Sequence, residues 1–198
     1  MTSIQAVVTD LDGVIRFFPA DRDQSIELKY GLPIGAIAKV AFSPRLLLPA
    51  IKGVLPDELW RERIAVELTQ AHPRVQCRAA VNEWSEFPGQ VDADTLWFLR
   101  AHCSSMPLVL LTNATSRLEE DMRKLDILRT FDKILSSSLL GIAKPDPMVY
   151  RKVASILQLE PDEILFVDDS EENVTAAAAE GFQVIHFQGL EALKKELA

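Results

Sequence analysis

Two short apolar runs, far apart in the chain, each end in a pair of carboxylates. Residues 4–9 run into Asp10-Leu11-Asp12-Gly13-Val14, and residues 164–167 run into Asp168-Asp169. On an extended strand alternate side chains share a face, so Asp10 and Asp12 can converge on one site at the strand's exit. Acids held together repel unless a cation lies between them. Any fold for this chain must therefore bring two strand ends to one cation-binding place.

Three further short runs, at 108–111, 133–136 and 183–187, read as strands. Helical patterns separate them, which is the signature of an α/β fold built on a parallel sheet with helices on both faces. Several helices carry start signals. Ser116 and Glu119 have the spacing of a capping box ahead of Leu118, Met122 and Leu125. Asp146-Pro147 is an N-cap followed by a first-turn proline, opening a helix to Leu157. Ser170 opens another, through the alanine run to a stop at Gly181, and 190–197 closes the chain.

Residues 17–86 break this rhythm. Helical faces are predicted over 34–42, 57–70 and 75–84, with no strand, so a small all-helical insertion follows the first strand. Pro19 and Pro88 mark where the chain leaves and rejoins the core. The division is 1–16 and 87–198 for the core, with 17–86 inserted.

At 198 residues and 48% hydrophobic, the chain is long enough to bury a real core. A net charge of −8 argues against a nucleic-acid partner, which needs a basic face. No apolar stretch is long enough to cross a bilayer, and no membrane partner is expected. Cys77 and Cys103 have no metal-ligand spacing. Two thiols and no signal-peptide pattern fit a reducing cytoplasm.

Asp10, at a strand's carboxyl end where open parallel sheets bind ligands, can act as a nucleophile on phosphorus. Asp12 can supply a proton to an alkoxide leaving group and then act as base on water. Thr112 and Asn113 follow an apolar strand, and a hydroxyl and backbone N–H groups at such a turn suit a phosphate. Lys144, fixed before Pro145, can hold a charged phosphoryl group. Asp168 and Asp169 offer hard oxygens suited to Mg²⁺. Asn173, one helical turn on, can orient a metal-bound water.

Asp-Leu-Asp-Gly-Val, Leu-Leu-Thr-Asn, Lys-Pro and Val-Asp-Asp-Ser, in that order, resemble the motifs of the haloacid dehalogenase-like hydrolase superfamily. The resemblance implies a Rossmann-like catalytic core, Asp10 as nucleophile and Asp12 as general acid/base. It implies phosphate contacts from Thr112, Asn113 and Lys144. It also implies Mg²⁺ bound by Asp10, the backbone carbonyl of Asp12 and the Asp168-Asp169 pair. The insertion resembles the helical cap of the beta-phosphoglucomutase-like branch, which closes over the cleft and selects the substrate. Arg45, Lys52, Arg61, Arg63 and His72 are its candidates for a sugar hydroxyl or a second phosphate. Trp60 and Trp84 read as core of the cap.

The expected activity is hydrolysis of a small phosphorylated metabolite, a sugar phosphate for instance, by a monomer or homodimer. Three alternatives stay open: a phosphomutase using the same groups, a phospho-acceptor signalling domain, and a non-catalytic interaction protein on the same scaffold.

Overall fold

The computed structural model describes residues 3–197. Its centre is a five-stranded parallel sheet. The strands are β1 (Ala6–Thr9), β4 (Leu108–Thr112), β5 (Lys133–Ser136), β6 (Ile164–Asp168) and β7 (Gln183–His186), in the order β5-β4-β1-β6-β7. The period of two along these strands sorts their side chains onto two faces. Val7, Leu108, Leu110, Leu165 and Val167 enter one hydrophobic cluster; Val8, Val109, Leu111, Ile164 and Phe166 enter another. The first is covered by α6 (Ala93–His102), α7 (Leu118–Lys124) and α11 (Leu190–Glu196), through Leu99, Met122 and Leu193. The second is covered by α9 (Pro147–Leu157) and α10 (Glu171–Ala179), through Tyr150, Val153 and Ala177.

The strand order reverses direction at β1, with β4 on one side and β6 on the other, which leaves a crevice at their carboxyl ends. Register makes that crevice acidic. Thr9 pairs with Val167, so Asp10 and Asp168 stand level on adjacent strands.

The caps at Asp146 and Ser170 form as expected, each side chain accepting a backbone N–H from its own first turn. The capping box at Ser116 does not. Helix α7 begins at Leu118 without a side-chain cap, and the Ser116 hydroxyl instead accepts the Asp57 N–H at 3.0 Å. Asp57 opens a helix of the inserted segment, and its N–H has no partner within its own helix. Tertiary packing thus takes over a local signal.

The insertion also differs in detail. It holds five helices where three were expected: α1 (Arg22–Tyr30), α2 (Ala36–Ala41), α3 (Pro44–Ile51), α4 (Asp57–Ala71) and α5 (Cys77–Glu86). Helix α1 was hidden by its charge. It buries Glu27, whose carboxylate accepts N–H groups of Gly35 and Ile37 at the start of α2. Helix α3 was hidden by Pro44 and Pro49, the first of which sits harmlessly in the opening turn. A short antiparallel ribbon also appears where no strand was expected. Its strands are β2 (Arg16–Phe17) and β3 (Gln90–Val91), and it carries the chain out to the insertion and back.

The insertion has its own hydrophobic cluster, built around Ile37, Leu46, Trp60, Ile64 and Val81. It touches the core at the short helix α8 (Ser137–Leu140), where a Cβ on Gly53 (φ +71°) would meet the Ser138 carbonyl at 2.1 Å. Among the described residues no helix is long and apolar enough to cross a membrane.

Both cysteines are buried, and burial pushes the Cys103 thiol up to about 11. Folded protein at pH 8 should therefore show neither thiol reacting rapidly with a disulfide reagent, and two reacting after denaturation. Rapid native-state labelling of Cys103 would contradict its placement in the core.

Candidate active site

Three carboxylates meet at the carboxyl end of the sheet. Asp10, Asp168 and Asp169 each offer an oxygen, all within 4.8 Å of one another. Lys144 stands among them, 4% exposed, with its Nζ 2.8 Å from Asp10 Oδ1 and 2.6 Å from Asp168 Oδ2. Burial is the largest single effect on this ammonium and disfavours its charge. Asp10 and Asp168 outweigh that and hold it above the usual lysine range. For Asp10 the order is reversed. Burial is the largest effect and raises its carboxyl to about 6, against the opposing pull of Lys144. Asp169 is raised too, by burial and then by Asp168. Three carboxylates against one ammonium leave two negative charges unbalanced, and every ligand atom is a hard oxygen. That donor set fits a divalent cation such as Mg²⁺.

The local backbone explains this convergence. The Asp10 N–H still donates to Val167 at 2.9 Å, so the ladder runs one residue past β1. The chain then folds tightly back, with Ile15 and Arg16 N–H groups on the Leu11 carbonyl. Gly13 lies in that turn at φ +85°, and a Cβ there would meet an Asp169 carboxylate oxygen at 2.0 Å. Only glycine lets Asp169 lie against this turn. Asp10 Oδ1 accepts both the Leu11 N–H, at 2.7 Å, and Lys144; its other oxygen, Oδ2, is held by neither.

Asp12 points elsewhere. Its carboxylate lies outside the three-acid cluster and accepts a two-pronged contact from Arg16, Nε to Oδ1 at 2.6 Å and Nη2 to Oδ2 at 2.8 Å. Arg16 also reaches the Pro88 carbonyl at 3.4 Å, so one guanidinium ties Asp12 to both connections of the insertion. Nothing in the sequence marked Arg16, because its role depends on the turn at Gly13.

Asn113 brackets the backbone of Lys144. Its Nδ2 donates to the Lys144 carbonyl at 2.8 Å and its Oδ1 accepts the Lys144 N–H at 2.9 Å. The side chain thus aims the lysine. Thr112 ends β4, buried, on the strand beside β1. Asn173, expected to orient a metal-bound water, lies against Asp168. Its Nδ2 donates to both Asp168 oxygens, at 3.0 and 3.2 Å. With the Ser170 N–H and Lys144, this saturates Asp168 and leaves Asp169 the acid with the fewer partners.

Between insertion and core lies a cleft of about 410 Å³, with Asp12 and Asn113 at its core end. Asp57 joins its walls, accepting the Thr115 hydroxyl at 2.7 Å and Arg61 at 2.7 Å. Of the basic candidates from the insertion, Arg61 alone lines this cleft; Arg45 and Arg63 line a separate hollow, where Arg45 pairs with Glu67 at 2.5 Å.

A family model of haloacid dehalogenase-like hydrolases matches residues 4–181. The chain is 27% identical to mouse acyl-CoA dehydrogenase family member 10 over 202 residues, covering 98% of this chain and 19% of that protein. It thus spans about a fifth of that relative's length. It is 30% identical to a phosphorylated carbohydrates phosphatase of Thermotoga maritima over 191 residues, covering 92% of this chain and 84% of the other. Among solved structures, a HAD family enzyme of Bacteroides thetaiotaomicron, in complex with magnesium and inorganic phosphate, superposes with a TM-score of 0.74. Its sequence is 21% identical, and the match covers 92% of this chain and 93% of that one.

Lys144→Met removes the ammonium that pairs with two buried carboxylates. It should cost about 3–5 kcal/mol of stability in urea unfolding with EDTA present. A loss below about 1 kcal/mol would mean the carboxylates do not depend on it.

Proposed function

This chain belongs to the haloacid dehalogenase-like hydrolases, and we propose that it is a Mg²⁺-dependent phosphatase working through an aspartyl-phosphate on Asp10. The observation that carries this reading is the asymmetry of the Asp10 carboxylate. Lys144 and the Leu11 N–H grip one oxygen, and the other is left to attack. The phosphatase relative in Thermotoga maritima supports the same class of reaction.

In this reading residues 17–86 act as a cap over the cleft. The Thr112 hydroxyl, the backbone at Asn113 and the Lys144 ammonium hold the phosphoryl oxygens. The Asp10 oxygen attacks phosphorus and the ester oxygen leaves toward Asp12, which gives it a proton. Asp12 then takes a proton from water as that water attacks the aspartyl-phosphate, releasing inorganic phosphate and restoring the Asp10 carboxylate. For these steps Asp12 releases at least one of the two oxygens that Arg16 holds in this structure and turns it to the ester oxygen. Mg²⁺, held by Asp10, Asp169 and the Asp12 carbonyl with Asp168 beside them, would supply the positive charge that lets an anionic nucleophile approach an anionic phosphate.

A phosphomutase needs somewhere to hold a second phosphate, and the cleft's guanidinium groups already have carboxylate partners. That favours hydrolysis.

Asp10→Asn should lower kcat on any accepted phosphate ester by at least about 10³-fold with little change in melting temperature. Turnover like that of the native enzyme would refute the nucleophile. Asp12→Ala should reduce kcat for alkyl phosphates at least tenfold more than for aryl phosphates, since aryl oxygens leave without a proton; equal losses would remove Asp12 as the acid. EDTA should abolish turnover and added Mg²⁺ restore it, and indifference to chelation would take the metal out of the mechanism.

A further inference from the structure

The cleft beside Asp12 is charged in composition but neutral in effect. Arg16 pairs with Asp12, Arg22 with Asp23, Arg61 with Asp57 and Arg117 with Asp121. Some of the remaining guanidinium N–H groups go to the protein as well. Arg22 donates to the Glu83 and Trp84 carbonyls, Arg117 to the Ser85 carbonyl and Arg61 to the Ser85 hydroxyl. A second phosphate entering here would meet guanidinium groups whose charge a partly buried carboxylate already neutralises, so it would gain little net attraction unless a pair broke and stranded that carboxylate.

What the cleft does offer is aromatic surface. Phe42 and Trp84 meet edge to face at 6.2 Å, and Phe18 and Phe87 do the same at 6.2 Å. All four rings line the cleft, and Phe42 and Phe18 are 53% and 47% exposed. Trp60 backs Trp84 at 5.9 Å and is itself fixed by donating to the Ala41 carbonyl. Aromatic rings left wet in a hollow, over a rigid backing, gain by covering with another flat apolar group.

We propose that the substrate's leaving group is a flat, apolar, uncharged ring system, seated among these four rings with its ester oxygen toward Asp12, and not a sugar bearing a second phosphate. This rests on the phosphatase reading for its chemistry but on the cleft alone for its binding.

Two measurements separate the two. The first is calorimetric binding of 2-(2-naphthyl)ethylphosphonate and of 2-hydroxyethylphosphonate, neither of which can be hydrolysed, with Mg²⁺ present. The second is kcat/KM for the matching phosphate esters, whose leaving oxygens are both primary alkoxides, together with a hexose bisphosphate. The naphthyl compound should bind at least about tenfold more tightly and its ester should be favoured by a similar factor in kcat/KM, chiefly through KM. Phe42→Ala should reduce that preference at least threefold. Tight naphthyl binding without turnover of any ester would support the ring site and overturn the phosphatase reading. Turnover without a binding preference, a preference unchanged by Phe42→Ala, or the highest kcat/KM on the bisphosphate would overturn the ring site and leave the phosphatase reading standing.

Discussion

One buried ammonium between two buried carboxylates organises this molecule. Lys144 sits 2.8 Å from Asp10 and 2.6 Å from Asp168, at the ends of neighbouring strands. Each of these groups would be too costly to bury alone. Together they are stable, and the parallel register that sets Asp10 level with Asp168 makes the meeting possible. Asn113 holds the lysine backbone from the next strand, and Asn173 and Ser170 satisfy the remaining Asp168 oxygens. The third acid, Asp169, lies against Gly13 in the surplus of negative charge that a divalent cation would answer.

The same principle recurs in the cleft at a larger scale. Arginine and aspartate pairs line it, and each closes on itself or on a neighbouring carbonyl. Two of these pairs also join the insertion to the core: Arg117 pairs with Asp121 and donates to the Ser85 carbonyl, and Asp57 takes the Thr115 hydroxyl while pairing with Arg61. Charges consumed in holding the two parts together are not available to a ligand. Aromatic rings therefore make up the part of the wall that is still open to a guest.

The sheet was legible because its strands are short, apolar and separated by helical periods, and each of the five expected runs forms a strand within a residue or two of its expected bounds. The meeting of Asp10 with Asp168 and Asp169 was legible because carboxylates at strand ends have few purposes, but Asp12, expected to converge with Asp10, turns its carboxylate to Arg16. Long-range partnership was not legible. Ser116 has the spacing of a helix cap, but a backbone N–H arriving from residue 57 takes its hydroxyl. Arg16 is an ordinary arginine until the turn at Gly13 folds it over Asp12. Asn173 was expected to orient a metal-bound water, and its bonds to both Asp168 oxygens could not be read from the spacing. The insertion was the least legible part. A helix that buries a glutamate and a helix containing two prolines both oppose the usual signals, and contacts with neighbouring helices decide them.

The central claim is that the free oxygen of Asp10 takes the phosphoryl group. The most direct measurement is rapid quenching of the enzyme during turnover with a phosphate ester and Mg²⁺. Borohydride reduction of acyl phosphates and mass spectrometry of the peptide containing residue 10 then follow. The carboxyl of Asp10, and of no other residue, should be recovered as an alcohol. Full release of inorganic phosphate with Asp10 unreduced throughout, or reduction at another carboxylate, would contradict it.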